Sequence, residues 1–221
     1  MIIAIDGPAG AGKSTVGRQL ARILGYTYID TGTMYRGIAW AALRQQVVPD
    51  TAEKIQQLFD SLGLRFYSQD NQFRFQAMGE DVTAQLKSPE VAQFSSTYSA
   101  LPAVRQYLTE IQRRMGNSGG VVMDGRDIGT VVFPQAECKF FLDANAGERA
   151  RRRQQELAQS GKNINLQDMA EQINRRDHQD SRRQLAPLKK AGDAVYIDTT
   201  NLSPGEVLDK MLAYIRQKAN L

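Results

Sequence analysis

The sequence predicts an α/β fold: a five-stranded parallel sheet flanked by helices, with a small antiparallel β insert and a helical lid. Two patterns lead to this prediction. Short apolar runs that read as buried strands alternate with stretches of helical periodicity, as in parallel sheets. Between residues 60 and 88, strand-like runs instead follow one another across short turns, and parallel strands need longer crossovers than that. The length of 221 residues suits one core with an insertion better than two full domains.

The chain begins with a glycine-rich loop between a predicted strand and a predicted helix. Residues 2–5 are apolar, and the helix after the loop ends at Gly25. Gly7 and the Gly-Lys-Ser of residues 12–14 have the spacing G-x-x-x-x-G-K-[ST] of a phosphate-binding loop. Small residues in such a loop let backbone N–H groups converge on a polyphosphate, and the following helix directs its positive end at the same anion.

We predict that this loop binds the phosphates of a nucleoside triphosphate together with Mg²⁺. The Lys13 ammonium would reach the β- and γ-phosphates, and the Ser14 hydroxyl would coordinate the metal. A strand predicted at residues 121–123 ends at Asp124, whose carboxylate is the second predicted Mg²⁺ partner, acting through water. The predicted triphosphate-binding residues are Gly7, Pro8, Ala9, Gly10, Ala11, Gly12, Lys13, Ser14 and Thr15.

The remaining elements follow in chain order. Further parallel strands are predicted at residues 26–29, 140–142 and 195–198, and helices at 34–43, 51–61, 89–99, 102–115 and from 203 onward. In the insert, a hairpin is predicted from residues 64–68 and 72–78 around a turn at 69–71, with a third short strand beginning at Val82. Two polar, arginine-rich helices at 148–161 and 165–183 lack the apolar stripe of a core helix and form the predicted lid.

These elements divide the chain into three parts. The core domain comprises residues 1–59, 89–147 and 185–221, the insert comprises residues 60–88 with flanking helices to about residue 105, and the lid comprises residues 148–184. Ligands of open parallel sheets bind beyond the carboxyl ends of the strands, and Asp30, Thr31 and Arg36 follow such an end. We therefore predict a phosphate-binding role for Arg36.

The distribution of charge indicates small phosphorylated ligands. The net charge is only +4, but 12 of the 19 arginines lie between residues 105 and 183, and arginine binds phosphate in a bidentate manner. Acidic residues are interleaved with these arginines, and no aromatic stripe or recognised nucleic-acid module accompanies them, so we do not expect nucleic-acid binding. A solvated basic surface is the alternative interpretation.

Composition also bears on location and on redox chemistry. No signal peptide is evident and no apolar run approaches the ~20 residues that cross a bilayer, so we expect a cytoplasmic protein without a membrane partner. The single cysteine, Cys138, lies in an apolar run, which argues against disulfides and cysteine metal sites and predicts a core thiol. We also expect the chain to act as a monomer.

The loop by itself indicates only that a nucleoside triphosphate and Mg²⁺ bind. The guanine-reading signature N-K-x-D is absent and an arginine-rich lid has no place in GTPases, so phosphoryl transfer to a small acceptor is favoured. Two alternatives remain open. One is a nucleotide-dependent binding module without an acceptor, and the other is a kinase of a small metabolite or of another nucleoside monophosphate.

Four motifs resemble those of the bacterial-type cytidylate kinase family. They are the loop at residues 7–15, the Asp-Thr-Gly of residues 30–32 with Tyr35 and Arg36, the run DGRDIGTVVFP at 124–134, and the run RDHQDSRR at 176–183. The resemblance extends nearly from end to end. The insert resembles the family's enlarged domain for binding nucleoside monophosphates, which eukaryotic UMP/CMP kinases lack.

The resemblance implies a P-loop NTPase-type kinase fold and transfer of a phosphoryl group from ATP to CMP or dCMP. It places Arg36, Arg126 and Arg176 on the acceptor phosphate, with Thr31 beside them. It further implies that cytosine is surrounded by Ser96, Arg105, Asp127 and Arg183, and that Asp180 binds the ribose hydroxyls. The implied catalytic residues are Lys13, Arg126 and Arg176.

Overall fold

The computed structural model describes residues 1–70, 72–158 and 164–219. The strands of the central sheet are β1 (Ile2–Asp6), β2 (Thr27–Asp30), β6 (Val121–Gly125), β7 (Cys138–Asp143) and β8 (Val195–Asp198), and three further strands belong to the insert. All five central strands pair in parallel, in the order β2-β6-β1-β7-β8. The predicted five-stranded parallel sheet is therefore confirmed, and each strand overlaps its predicted run.

Helices lie between and after the strands. They are α1 (Lys13–Leu24), α2 (Thr31–Gln45), α3 (Ala52–Leu62), α4 (Pro89–Tyr98), α5 (Pro102–Gly116), α6 (Ala146–Ala158), α7 (Leu166–Ser181) and α8 (Pro204–Ala219). The second begins three residues before its predicted start because the Asp30 side chain accepts a hydrogen bond from the Thr33 N–H and so caps the first turn. Among the described helices, none has the length and apolar composition that crossing a membrane requires.

The main hydrophobic core surrounds β1 and positions the carboxyl ends of the strands. Ile3 and Ile5 of β1 are fully buried in it. The register places Asp124 of β6 beside Ile5 of β1 on one side and beside Asp30 of β2 on the other. The segments that follow β1, β2 and β6 therefore meet at one edge of the sheet, where open parallel sheets bind ligands.

The insert is a small antiparallel sheet of β3 (Arg65–Gln69), β4 (Gln72–Ala77) and β5 (Glu80–Asp81). Asn71, in the predicted turn, lies outside the described residues. The prediction of a third strand beginning at Val82 is wrong, because the strand ends at Asp81 and a 3₁₀ turn follows. The Thr83 hydroxyl accepts a hydrogen bond from the Phe75 N–H at 2.8 Å, so a side chain occupies the edge position that a longer strand would fill.

A second hydrophobic cluster joins the insert to α2. Phe75 of β4 is fully buried, and its ring lies edge-on to Trp40 of α2 with 6.1 Å between ring centroids. Met34 and Ile38, on the same helix, belong to the main core instead. Helix α2 therefore contributes to both hydrophobic clusters and connects the insert to the sheet.

The two lid helices pack against each other through a small apolar cluster. Ala150 of α6 and Met169 and Ile173 of α7 are buried together. The apolar surface is narrow, as the polar composition predicts, but it is sufficient to pair the helices. The predicted end of the first lid helix, at residues 160–161, lies outside the described residues.

Candidate active site

The phosphate loop, residues 7–15, runs from the end of β1 into α1 and has glycine where side chains cannot fit. Gly7 has φ of +145°, and a Cβ there would lie 1.9 Å from the carbonyl oxygen of Leu142. Gly10 has φ of +78°, and a Cβ there would lie 2.7 Å from the carbonyl oxygen of Arg149. The conformation of the loop therefore depends on glycine at both positions.

Lys13 is buried at the start of α1, and its Nζ donates to the Pro8 carbonyl oxygen at 2.7 Å. Burial lowers the pKa of Lys13 from 10.5 to about 7, with a further lowering from Arg126 and an opposing effect from Asp124. A polyphosphate bound by the loop would place negative charge beside this ammonium. Such an anion would restore the charged form that burial disfavours.

The predicted metal partners are in direct contact. Ser14 Oγ donates to Asp124 Oδ2 at 2.7 Å, and the Tyr28 hydroxyl donates to Asp124 Oδ1 at 3.1 Å. Burial, together with the nearby charge of Asp30, raises the pKa of Asp124 to about 6. Hydroxyl and carboxylate oxygens fit Mg²⁺. Across the residues that the structure describes, no group of three or more His, Cys, Asp or Glu could hold a metal ion.

Asp6, at the end of β1, connects the phosphate loop to the turn after β6. Its two carboxylate oxygens accept hydrogen bonds from the N–H groups of Ile128 and Gly129, each at 2.8 Å. Burial raises the pKa of Asp6 to about 7, although the two N–H groups oppose that rise. The turn begins at Asp127, a residue predicted to read cytosine, so Asp6 links the end of β1 to the segment that contains Asp127.

The raised pKa of Asp6 predicts a pH-dependent stability. Asp6 has a pKa of about 7 in the folded protein and of 3.8 in the unfolded chain, so its protonated form favours the folded state. This contribution to stability is full below pH 3.8 and is lost as the pH rises through 7. We expect the free energy of unfolding to fall between pH 5 and pH 8, and Asp6→Asn to reduce that fall by about 2–3 kcal/mol. Urea unfolding at pH 5 and pH 8 measures this fall in the free energy of unfolding. Asp209→Asn, at an exposed position of α8, is the control, and an unchanged slope in Asp6→Asn would contradict the prediction.

At the end of β2, Asp30 holds Arg36 and Thr33 in one hydrogen-bonded group. Asp30 Oδ2 accepts from Arg36 Nη2 at 3.1 Å and from Thr33 Oγ1 at 2.7 Å. Burial raises the pKa of Asp30, but Arg36 and Thr33 outweigh it, so the pKa is lowered and the carboxylate stays ionised. Thr31 Oγ1 donates to the Asp124 carbonyl oxygen at 2.8 Å. Arg36 and Thr31 therefore border the same edge of the sheet as the predicted metal partners.

Three arginines surround Asp180 of α7. Arg126 Nε donates to Asp180 Oδ2 at 2.8 Å, and Arg183 Nη2 pairs with Asp180 Oδ1. Burial opposes ionisation of Asp180, but the arginines outweigh it and its pKa is lowered. Arg176 differs from the other two because its buried Nε has no hydrogen-bond partner among the described residues. Burial, and then repulsion by Arg126, lowers the pKa of Arg176 to about 10.

A buried ion pair lies beside this cluster. Arg105 Nη2 donates to Asp127 Oδ2 at 2.6 Å, and its guanidinium carbon lies 5.4 Å from the centroid of the Tyr35 ring. Arg105 Nη1 donates to the Ser99 carbonyl oxygen, while the Ser99 hydroxyl accepts from Arg183. Ser96 lies nearer the surface. The structure thus brings the residues implied for cytosine together and leaves Ser96 at their periphery.

A cavity of about 570 Å³ lies on the other side of the phosphate loop, next to lid helix α6. Arg152 of α6 donates to the carbonyl oxygen of Thr199 at 2.6 Å, and the Thr199 hydroxyl lies 3.2 Å from the Ala11 carbonyl oxygen. Gly12 and Val207 also border the cavity. Helix α6, the phosphate loop and the segment after β8 therefore line one open cavity.

Sequence reasoning missed four residues that organise these contacts: Asp6, Ser99, Arg149 and Asp177. Asp6 directly precedes the loop and could have been noticed as a carboxylate at a strand end. Arg149 lies in a segment predicted only as an arginine-rich lid, and Asp177 lies in the RDHQDSRR run at 176–183 but has no predicted role of its own. Their partners are far away in sequence, so no local pattern marks them.

Comparison with known proteins supports the resemblance to cytidylate kinases along nearly the whole chain. A sequence model described as cytidylate kinase matches residues 3–217. The cytidylate kinase of Geobacter sulfurreducens is 47% identical over 218 residues, which are 99% of this chain and 94% of that protein. The bifunctional pantoate ligase/cytidylate kinase of Synechococcus sp. (strain JA-3-3Ab) is 48% identical over 219 residues, 98% of this chain but 41% of that protein. The chain thus spans less than half of that fused relative.

A solved structure shares the fold at low sequence identity. The crystal structure of an uncharacterized protein from Eubacterium ventriosum is 12% identical, with a TM-score of 0.53 and coverage of 98% of both chains. A glycine-rich phosphate loop on a five-stranded parallel sheet, with a group of arginines close to its lysine, is the arrangement of P-loop kinases. Within that class, the chain belongs to the cytidylate kinase family.

Proposed function

We propose that this protein transfers the γ-phosphoryl group of ATP to CMP or dCMP with bound Mg²⁺. The observation that carries the proposal is the convergence of the phosphate loop with the partly buried arginines Arg126 and Arg176 at the edge of the sheet where the parallel strands end. One side offers backbone N–H groups and Lys13 to a triphosphate. The other side offers guanidinium groups to a monophosphate.

The main obstacle to this reaction is charge. The acceptor carries about −2 and the triphosphate about −4, so two polyanions must be brought into contact. Lys13, Arg126 and Arg176 would neutralise the reacting groups and the charge that develops between them. The acceptor phosphate has a second pKa near ~6 and is already an anion at neutral pH, so no general base is required.

Ser14 and Asp124 are the residues that would hold Mg²⁺, because their oxygens adjoin each other at the start of α1. When bound, the metal supplies positive charge to the phosphate oxygens and fixes their orientation. The lid, residues 148–184, would exclude water from the γ-phosphate, since both of its helices contact the far side of the loop.

Cytosine recognition is assigned to the buried pair Arg105 and Asp127, with Arg183 and Ser96 nearby. Cytosine presents an N4 amino donor beside the N3 and O2 acceptors, and uracil reverses donor and acceptor at the equivalent N3 and O4 positions. Asp127 can accept from the amino group and Arg105 can donate to the ring acceptors. Uracil would leave buried groups unpaired, at a cost of ~1–3 kcal/mol each.

Arg105→Met and Asp127→Ala are each expected to lower the ratio of kcat/KM for CMP to kcat/KM for UMP by about 5- to 100-fold, because each removes one proposed partner of cytosine. Steady-state kinetics with both monophosphates measures the ratio. Each variant also leaves a buried charge unpaired and will lower Tm, so the ratio rather than the absolute rate is decisive. Arg114→Met, at an exposed position of the same helix α5, is the control. Wild-type ratios in both variants would rule out this assignment.

The first experiment is a panel of acceptors. Purified protein with MgATP is offered CMP, dCMP, UMP, AMP, GMP or shikimate, and ADP release is followed. We expect CMP and dCMP to stimulate ADP release far above the other acceptors. Slow ATP hydrolysis that no acceptor changes would instead identify a nucleotide-dependent binding module, and a preference for another acceptor would identify a different kinase.

A further inference from the structure

A carboxylate on helix α7 contacts the phosphate loop. Asp177, on α7, accepts a hydrogen bond through Oδ1 from the Ala9 N–H at 3.4 Å, and its Oδ2 pairs with Nη1 of Arg149 on α6. Arg149 Nη1 also donates to the Ala9 carbonyl oxygen at 3.2 Å. The two lid residues therefore hold both polar backbone groups of Ala9.

Arg149 is fixed by further contacts. Its Nε donates to the Ala144 carbonyl oxygen at 2.9 Å, and its backbone approaches Gly10 so closely that a Cβ there could not fit. The residue is 8% exposed. Its second terminal nitrogen, Nη2, has no hydrogen bond within the part of the chain that the structure describes. A guanidinium held beside a phosphate loop with one terminal nitrogen unengaged is suited to donate to a phosphate of the bound triphosphate.

Resting on the function proposed above, we propose that Asp177 is a positioning residue for phosphoryl transfer, which holds Arg149 against Ala9 so that the guanidinium is directed at the phosphates of the donor. A carboxylate beside a loop that binds a ligand of about −4 charge weakens ground-state binding. Such a group contributes to catalysis only by orienting a cation that acts in the transition state. Asp177 should therefore oppose polyphosphate binding while it promotes turnover.

Asp177→Asn tests this pair of opposite effects, because it removes the charge and keeps the size. We expect kcat with MgATP and CMP to fall about 10- to 100-fold, as misplacement of a catalytic group does. We expect inorganic tripolyphosphate, titrated by calorimetry, to bind as tightly as to the unmodified protein or up to about fivefold more tightly, since one negative charge is gone. Glu171→Gln, which removes an exposed carboxylate from the same helix, should change neither quantity.

A double-variant cycle shows whether Asp177 acts through Arg149. In an Arg149→Met background, Asp177→Asn should lower kcat by less than about twofold, because the group that it positions is already gone. Losses that multiply in the double variant, an unchanged kcat in Asp177→Asn, or tripolyphosphate binding weakened together with Tm would each overturn the proposal. The calorimetry needs no acceptor, so a failure of CMP as a substrate would refute the proposed function and leave the binding result interpretable.

Discussion

Replacing Lys13 with methionine is expected to lower kcat by about 10³-fold while the protein stays folded. The loss follows from removing a preorganised cation beside the transferring phosphoryl group. Burial lowers the pKa of Lys13 to about 7, which means that the ammonium is a cost to the folded protein, so methionine should preserve Tm or raise it. The rate of ADP release at saturating MgATP and CMP, together with thermal unfolding, measures both effects.

The sign of the stability effect can be checked with pH. Lys13 has a pKa of about 7 in the folded protein and of 10.5 in the unfolded chain. The buried ammonium therefore destabilises the folded protein fully below pH 7, and this destabilisation disappears as the pH rises to 10.5. The stability gain in Lys13→Met should therefore be larger at pH 6 than at pH 9. Lys54→Met, in α3 with 44% of the side chain exposed, should alter neither the rate nor Tm appreciably. Retention of a tenth of the wild-type rate in Lys13→Met would argue against the role given to Lys13.

Replacing Arg176 with methionine should lower kcat/KM for CMP by about 10³-fold and leave Tm unchanged or higher. Arg176 is partly buried, its buried Nε has no partner in the described part of the chain, and the neighbouring Arg126 repels it. A bound monophosphate would offset that repulsion with its negative charge and would accept hydrogen bonds from the Arg176 guanidinium. The folded protein thus holds a cation that is unfavourable until an anion arrives. Kinetics over a range of CMP concentrations and a thermal unfolding curve test both parts.

The chain provides a matched control for this substitution. Arg175 is the preceding residue of α7, and its side chain is 72% exposed. Arg175→Met removes the same charge from the same helix without touching the pocket, so it should keep kcat/KM for CMP within about twofold of the wild type. Equal losses in the two variants would mean that the lid's overall charge, rather than the placement of Arg176, governs acceptor binding.

The sheet and the phosphate loop could be predicted because their determinants are local. A parallel strand buried on both faces is a short apolar run, and the loop needs glycine at fixed spacing because Gly7 and Gly10 approach other backbone segments. Helix starts were located to within a few residues by residues such as Ser88 and Pro102. These features are encoded within about ten consecutive residues.

Other features could not be predicted because they join residues that are distant in sequence. The hydrogen bonds of Asp6 cross 122 and 123 residues, and the contact of Arg149 with Ala9 crosses 140. The short π-helical turn at Ile128–Val132 had no recognisable pattern either. In the insert, Thr83 ended the sheet through a side-chain hydrogen bond that strand propensity does not represent. Which arginine keeps an unpaired nitrogen is likewise a property of the assembled pocket.

The second hydrophobic cluster has a consequence for how substrate affinity can vary. Arg36 and Trp40 lie one turn apart on α2, and Trp40 packs on Phe75 of the insert. A change of packing at Phe75 would therefore rotate or shift the helix that carries Arg36, the residue proposed to bind the acceptor phosphate. If Arg36 has that role, we expect sequence divergence in the insert to change KM for the monophosphate even where the proposed substrate-binding residues stay the same.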